Sequence, residues 1–367
     1  MSFRATALGM FLFGHLCGMA VLNGYIQSRS NLSLTEFGFV LSSGAVTALA
    51  VNLYLRRSGR RFSGATGLIL LALAVCLPVL AQGFSALLLA YSLQGAASRI
   101  ALAGLYRAIT AIQKESTSRT NPTLLLESMA GFGLGESFAL NAFITSLTGD
   151  ALWAAGLALA LGLPAGFWLQ GKLPDWSHTP SSPTSYQTFA PATAAIPVTA
   201  AFAAYCAEVF TITQATAWSS LLIQSVQFGS LRLSPLLAAG LLSGIFWLVV
   251  GSIRFLAGLQ ETLNLRHVVI AGHLLCLAAV TGAMLAPQNG LPLLLCYSLL
   301  GAGIACFVPF ALQIIARHPR AGEFADRLAL LGPVMSVGVH LLTGSFAGHH
   351  HWFDLAALAA SLTFALK

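Results

Sequence analysis

Leu87-Leu88-Leu89-Ala90-Tyr91-Ser92-Leu93-Gln94-Gly95-Ala96 returns 206 positions further on as Leu293-Leu294-Leu295-Cys296-Tyr297-Ser298-Leu299-Leu300-Gly301-Ala302. Only Ala90 against Cys296 and Gln94 against Leu300 differ. A second echo, Ser43-Gly44 against Ser243-Gly244, comes at an offset of 200. Working outward from these windows, apolar runs lie near 6–24, 36–55, 65–82, 85–108, 123–147 and 151–170, then near 198–224, 234–255, 267–286, 291–315, 326–346 and 353–366. The echoes join run four to run ten and run two to run eight. The chain therefore reads as one six-run unit written twice, the design by which many membrane proteins build two halves around a central site.

Composition fixes the class. Hydrophobic residues make up 57% of the chain and charged residues 8%, with a mean hydropathy of +0.80, against about 25% charged in an ordinary soluble domain. The 18 basic and 11 acidic residues cannot clothe a soluble protein of 367 residues. At roughly 20 residues per spanning helix plus connections, the length allows about twelve crossings. Long apolar runs without two-residue alternation exclude a strand barrel. The expected architecture is an all-α integral membrane protein of twelve helices. It divides into a six-helix bundle over 1–170, a Pro/Ser/Thr-rich linker over 171–197 and a second bundle over 198–367.

The net charge of +7 is scattered over short connections and forms no basic, aromatic-rich surface, so no nucleic-acid partner is expected. Cys17, Cys76, Cys206, Cys276, Cys296 and Cys306 all lie in apolar stretches without ligand spacing and read as buried thiols. The first run is too long, and lacks the cleavage site, for a removable signal peptide. Counting Lys and Arg by side places Arg4, Arg56, Arg57, Arg60, Arg61, Arg107, Lys114, Arg119, Lys172, Arg254, Arg266, Arg317, Arg320, Arg327 and Lys367 towards one face. Arg29 and Arg232 lie on the other, and Arg99 is within the membrane. The expectation is a multi-pass protein of a bacterial inner membrane with both termini cytoplasmic.

Two six-helix halves joined by a polar linker resemble the major facilitator superfamily over essentially the whole chain. Between helices two and three that family carries a glycine, then Asp-Arg, then Gly-Arg-Arg. Here Asn52-Leu53-Tyr54-Leu55-Arg56-Arg57-Ser58-Gly59-Arg60-Arg61 matches at Arg57, Gly59, Arg60 and Arg61, with Asn52 and Arg56 in place of the glycine and the aspartate. In the second half Gly251 and Gly258 keep the glycine spacing. The family's fourth-helix Arg-x-x-Gln-Gly is met by Tyr91-Ser92-Leu93-Gln94-Gly95, with Arg99 further along. A glycine-proline export signature in helix five is echoed, without proline, by Gly131-Phe132-Gly133-Leu134-Gly135. The resemblance implies alternating access, with helices one, four, seven and ten lining a central cavity.

Intramembrane charges are costly and persist where they meet a partner or a cavity. They are Arg99 and Arg107 in run four, Glu127 and Glu136 in run five, and Glu208 in run seven. In an antiparallel hairpin, Arg99 shares a depth with Glu136 and Arg107 with Glu127, the two levels being about 12 Å apart at about 1.5 Å rise per residue. Two ion pairs are expected. They either lock helix to helix or leave Arg99 to hold an anionic group of a substrate, with Glu136 as competing partner or proton acceptor. Glu208, near mid-depth, suits proton coupling, because taking up a proton removes the cost of a charge held away from water. The alternative is a hydrogen-bonded structural acid.

Candidate substrate-binding residues are Arg99, Tyr91, Gln94, Tyr205, Gln214 and Asn23, and candidate proton-coupling residues are Glu208 and Glu136. Arg107, Glu127, Arg57, Gly59 and Arg60 are expected in gating or structural ion pairs. His15 could orient a substrate or be a satisfied core histidine. His349-His350-His351-Trp352 reads as a solvated helix end, so no metal site is expected. No phosphate loop, zinc helix motif or catalytic triad is present, so neither an enzyme nor a cofactor is expected. The expected function is secondary transport of a small anionic or zwitterionic organic solute, coupled to protons and directed outward, by a monomer in the lipid bilayer; a metallophore, metabolite or drug-like compound is the leading cargo. An uptake permease for a sugar or organic acid is the rival. A polytopic membrane enzyme or sensor is the distant one.

Overall fold

The computed structural model describes residues 3–59, 62–115, 121–173, 198–223, 225–260, 265–316 and 321–346. The linker expected over 171–197 falls outside them from residue 174 on. So do Arg60, Arg61, the histidine run and the apolar run at 353–366.

The first run is α1 (Phe3–Cys17), a 3-10 turn (Gly18–Leu22) and α2 (Asn23–Arg29). There follow α3 (Leu34–Ser58), α4 (Gly64–Ala74) with α5 (Leu77–Leu80), α6 (Phe84–Glu115), α7 (Pro122–Thr148) and α8 (Leu152–Leu169). Then come α9 (Val198–Thr213), a π turn (Gln214–Trp218), α10 (Ser219–Leu222), and a small antiparallel hairpin of β1 (Val226–Phe228) and β2 (Leu231–Leu233). The remainder is α11 (Pro235–Leu259), α12 (Leu265–Leu285), α13 (Gly290–Ile304) with α14 (Phe307–Ala316), and α15 (Ala321–Ser345). Among the described residues this makes eleven consecutive helical runs, of which seven are long and apolar enough to cross a membrane.

Local sequence sets the ends. Ser33 and Glu36 form a reciprocal capping box at the start of α3, filling donors that the first turn leaves open. Asn121 caps α7 with Pro122 in its first turn, and Ser234 with Pro235 does the same for α11, a position where proline gives up no helical bond. Gly59 and Gly149 close α3 and α7 at φ of 63° and 73°, where a side chain would be strained.

Short connections make successive helices antiparallel, giving one end that carries Phe3 and one that carries the tight hairpins. Two long seams join the earlier helices to the later ones: α7 lies along α11, and α3 along α15. The repeat in sequence has a packing cause. Gly95 of α6 presses on the backbone of Gly44 in α3, and its counterpart Gly301 of α13 presses on the backbone of Phe246 in α11. The same helix pair thus makes the same close approach in each half. All six cysteines are free, four of them buried and Cys17 and Cys206 half-buried.

Candidate functional site

A cavity of about 190 Å³ opens in the hairpin half of the molecule, between the 3-10 turn at Gly18–Leu22, α2, α3, α5 and α6, and meets the later helices at Ala217 and His340. Its polar lining is Asn23, Tyr91, Gln94, Ser98 and His340. The Tyr91 phenol donates to Asn23 Oδ1 at 2.6 Å, and Asn23 Nδ2 donates onward to the Ala217 carbonyl at 2.7 Å. His340 is placed by Trp218, whose Nε1–H donates to its Nδ1 at 3.0 Å. Around the cavity the earlier and later helices are latched at the hairpin end. The Gly24 N–H donates to Ser220 Oγ at 2.9 Å, and Thr35 Oγ1 donates to the Gly344 carbonyl at 3.1 Å.

Three of the six expected substrate-binding residues, Asn23, Tyr91 and Gln94, therefore share one cavity. Arg99 follows Ser98 on α6, half-buried, its Nη2 donating to Asn52 Oδ1 at 2.7 Å while its Nε is enclosed without a hydrogen-bond partner. Arg56, Tyr205 and Tyr106 share its electrostatic surroundings. Gln214 is not in the cavity lining; it sits buried in the π turn and donates to Thr343 Oγ1 at 3.3 Å. Tyr205 lies against Gly332 of α15.

The ion pairs differ from those expected. Arg99 meets Asn52, and Glu136 accepts from His15 Nδ1 at 2.8 Å. Glu127 accepts from the Tyr106 phenol at 3.0 Å, while Arg107 donates to the Phe62 carbonyl at 2.8 Å. Antiparallel counting fixes depth but leaves rotation about each helix axis open, and rotation decides here. On α7, Gly131 and Gly135 turn towards α11 and Gly133 towards α1. Glu136 falls on a third side, the stripe continued by Phe143 and Leu147, which are 57% and 74% exposed. Its carboxylate is half-exposed over a buried His15, so neither group reaches the cavity. Arg57 is exposed on the last turn of α3, next to the Gly59 cap.

The largest departure is Arg254. Counted on the basic face, it is instead buried, and its Nη2 donates to Glu208 Oε1 at 2.8 Å. Its Nη1 is 3.8 Å from Glu127 Oε2, across the α7–α11 seam, and its Nε donates to the Ala305 carbonyl at 2.8 Å. The second Glu208 oxygen accepts the Val308 N–H. Pro309 explains why those backbone groups are available. It has no N–H for the carbonyl four residues back, Ala305, so the ladder is interrupted there; α14 restarts at Phe307 and Val308 falls in its first turn, whose N–H groups have no helical acceptor. The carbonyl and the amide freed by the break are taken by the Arg254–Glu208 pair. A lone arginine five residues before the end of an apolar helix, together with a proline inside an apolar run, is the signal by which both were visible.

No family model matches the chain, and no curated protein matches it. Solved structures do. A peptide transporter POT in complex with alafosfalin aligns over 99% of this chain and 92% of its own, at 13% identity and a TM-score of 0.68. The same transporter in complex with sulfate gives 14% identity and 0.69 over the same shares. A nucleoside transporter NupG aligns over 99% and 98%, at 14% identity and 0.66. Both are major facilitator transporters, and the chain has their fold.

Proposed function

We propose that the chain is a proton-coupled secondary transporter that moves a small organic solute by alternating access of two six-helix bundles, 1–170 and 198–367. The observation that carries this is the place of the cavity: it lies between helices of both halves, roofed by inter-half hydrogen bonds at the hairpin end. A site between two bundles that touch along two seams is what rocking of one bundle against the other exposes to either side in turn. The excess of basic residues at the end carrying Phe3 supports a cytoplasmic setting for that end.

The cavity offers amide, phenol, hydroxyl and imidazole groups. Arg99, next to Ser98, adds a cation with no carboxylate bound to it among the described residues. This combination fits a solute with a polar body and an anionic end, including a zwitterion. Glu208 takes the coupling proton: it is buried, and a proton there would release the Arg254 guanidinium it now holds.

The test is substrate-induced pH change in proteoliposomes, with panels of anionic, zwitterionic and neutral metabolites. Proton movement elicited by an anionic or zwitterionic class, lost in Glu208→Gln, is expected, and its sign gives the direction of transport. Arg99→Lys, which removes a planar two-pronged donor, is expected to weaken apparent affinity about tenfold or more, on the scale of a lost charge-assisted bond. Unchanged affinity in Arg99→Lys would take that residue out of the site. A gradient-driven Glu208→Gln variant would refute the coupling role.

A further inference from the structure

We propose that Arg254 is a charge switch between the halves: in the conformation described it belongs to Glu208, and when Glu208 takes up a proton it passes to Glu127 across the α7–α11 seam. This switch rests on the transport role above and adds the device by which a proton on one half changes the contact between both.

The geometry supplies a donor, a present partner and a waiting one. Arg254 Nη2 is bonded to Glu208 at 2.8 Å, whereas its Nη1 stops 3.8 Å from Glu127 Oε2. That oxygen is buried and accepts no hydrogen bond, while its twin is held by Tyr106. A buried acceptor left unmatched is uncommon in native structures and asks for a partner. Here the Arg254 guanidinium stands only about 0.6 Å beyond bonding range. The guanidinium can turn towards it without leaving the Ala305 carbonyl, because its five N–H donors fan out in one plane.

The charges give the direction. Among the described residues, the groups facing Arg254 and Glu208 are Glu127 from α7, Tyr106 from α6, Tyr205 of α9 and Cys306 at the break between α13 and α14. Among these described groups one cation stands between two carboxylates, so this network takes one proton to become neutral. When Glu208 Oε1 takes a proton from a hydronium ion of the aqueous phase, one O–H bond forms on the carboxyl as one breaks on the hydronium, and the Arg254 Nη2 hydrogen bond to that oxygen is given up. Val308 still donates to the other oxygen. The guanidinium has then lost its charge partner within its own half, and Glu127 is the remaining carboxylate. Closing that pair draws α7 and α11 together near the end carrying Phe3, where the Asn121 N–H already donates to the Gly258 carbonyl at 2.8 Å. Rocking about the seams releases the hairpin end.

Leu80 on α5 and Leu285 on α12 are exposed at the hairpin end, one in each half. In the 367-residue chain with its six cysteines replaced, nitroxide labels at Leu80→Cys and Leu285→Cys report that distance by pulsed EPR in nanodiscs, with pH as the only variable. Going from mildly alkaline to mildly acidic buffer is expected to lengthen it. Glu208→Gln is expected to be long at both, and Glu127→Gln short at both. Should Glu127→Gln fail to elute as a single folded species, Glu127→Asp decides, because its oxygen is drawn back from the guanidinium and a reduced shift is expected. A parent-sized shift in the Glu127 variants, with Glu208→Gln unresponsive, would overturn the switch and leave Glu208 as the proton site. No response to pH in the parent would sink the switch together with the coupling role.

Discussion

A guanidinium enclosed by apolar helices is stable only while its carboxylates stay with it, and the converse holds for them. Arg254→Ala would leave Glu127 and Glu208 buried at 2% and 1% exposure with their shared cation gone. Breaking a buried pair in this way costs about 3–5 kcal/mol, so a marked fall in the thermal unfolding temperature in detergent is expected. A variant as stable as the parent would mean that water already screens the network. At this scale the sequence told type and depth, and little else. The resemblance has helices one and four lining a central cavity, and Asn23, Tyr91 and Gln94 on those runs do line one cavity in the structure. Arg99 and Glu136 share a level on their hairpin, yet about 100° of turn per residue carries Glu136 round to the exposed stripe. Arg254 looked interfacial because it lies near a helix end. Only the packing of α7 on α11 shows that this end is covered.

Glycine spacing and one proline govern the elements. Gly95 and Gly301 allow α6 and α13 to touch the backbones of α3 and α11, whereas Gly156 of α8 faces open space. These two environments predict opposite responses to the same change. Gly95→Ala pushes a methyl group into the Gly44 backbone, which a side-chain rotation cannot relieve; overpacking of about 1–3 kcal/mol or more is expected. Gly156→Ala meets nothing and removes chain entropy from the unfolded state, for a gain of up to about 1 kcal/mol. Unfolding temperatures of the two variants side by side check the contrast. A neutral Gly95→Ala would mean the α3–α6 approach is looser than described. The export-like glycines Gly131, Gly133 and Gly135 belong to the same class, since they seat α7 between α11 and α1. Their pattern was legible as glycine periodicity. Its meaning as packing was not, because close approach is a property of two helices and one sequence window holds only one of them.

For the whole molecule, the composition was enough to foresee a mainly helical, multi-pass membrane fold, because apolar length is written locally, whereas the hairpin of β1 and β2 was not foreseen. The conformational state was not legible, since it depends on which inter-half contacts are made, and those join residues such as Asn23 and Ala217 that lie 194 positions apart. In the state described, the latch is at the hairpin end, where Thr35 reaches Gly344 and Gly24 reaches Ser220. Alternating access requires this latch to open once in every cycle. Thr35→Cys paired with Ser345→Cys places one thiol on α3 and one on α15 at the latch, and a short reducible bifunctional reagent joins them. The expected outcome is loss of substrate-induced proton flux in proteoliposomes and its return on reduction. Leu80→Cys with Trp153→Cys, two exposed positions on α5 and α8 of the same half, controls for the reagent and is expected to keep full flux. Flux that persists through a complete cross-link at the latch would show that the hairpin end need not part, and alternating access of two rigid bundles would have to be abandoned for this chain.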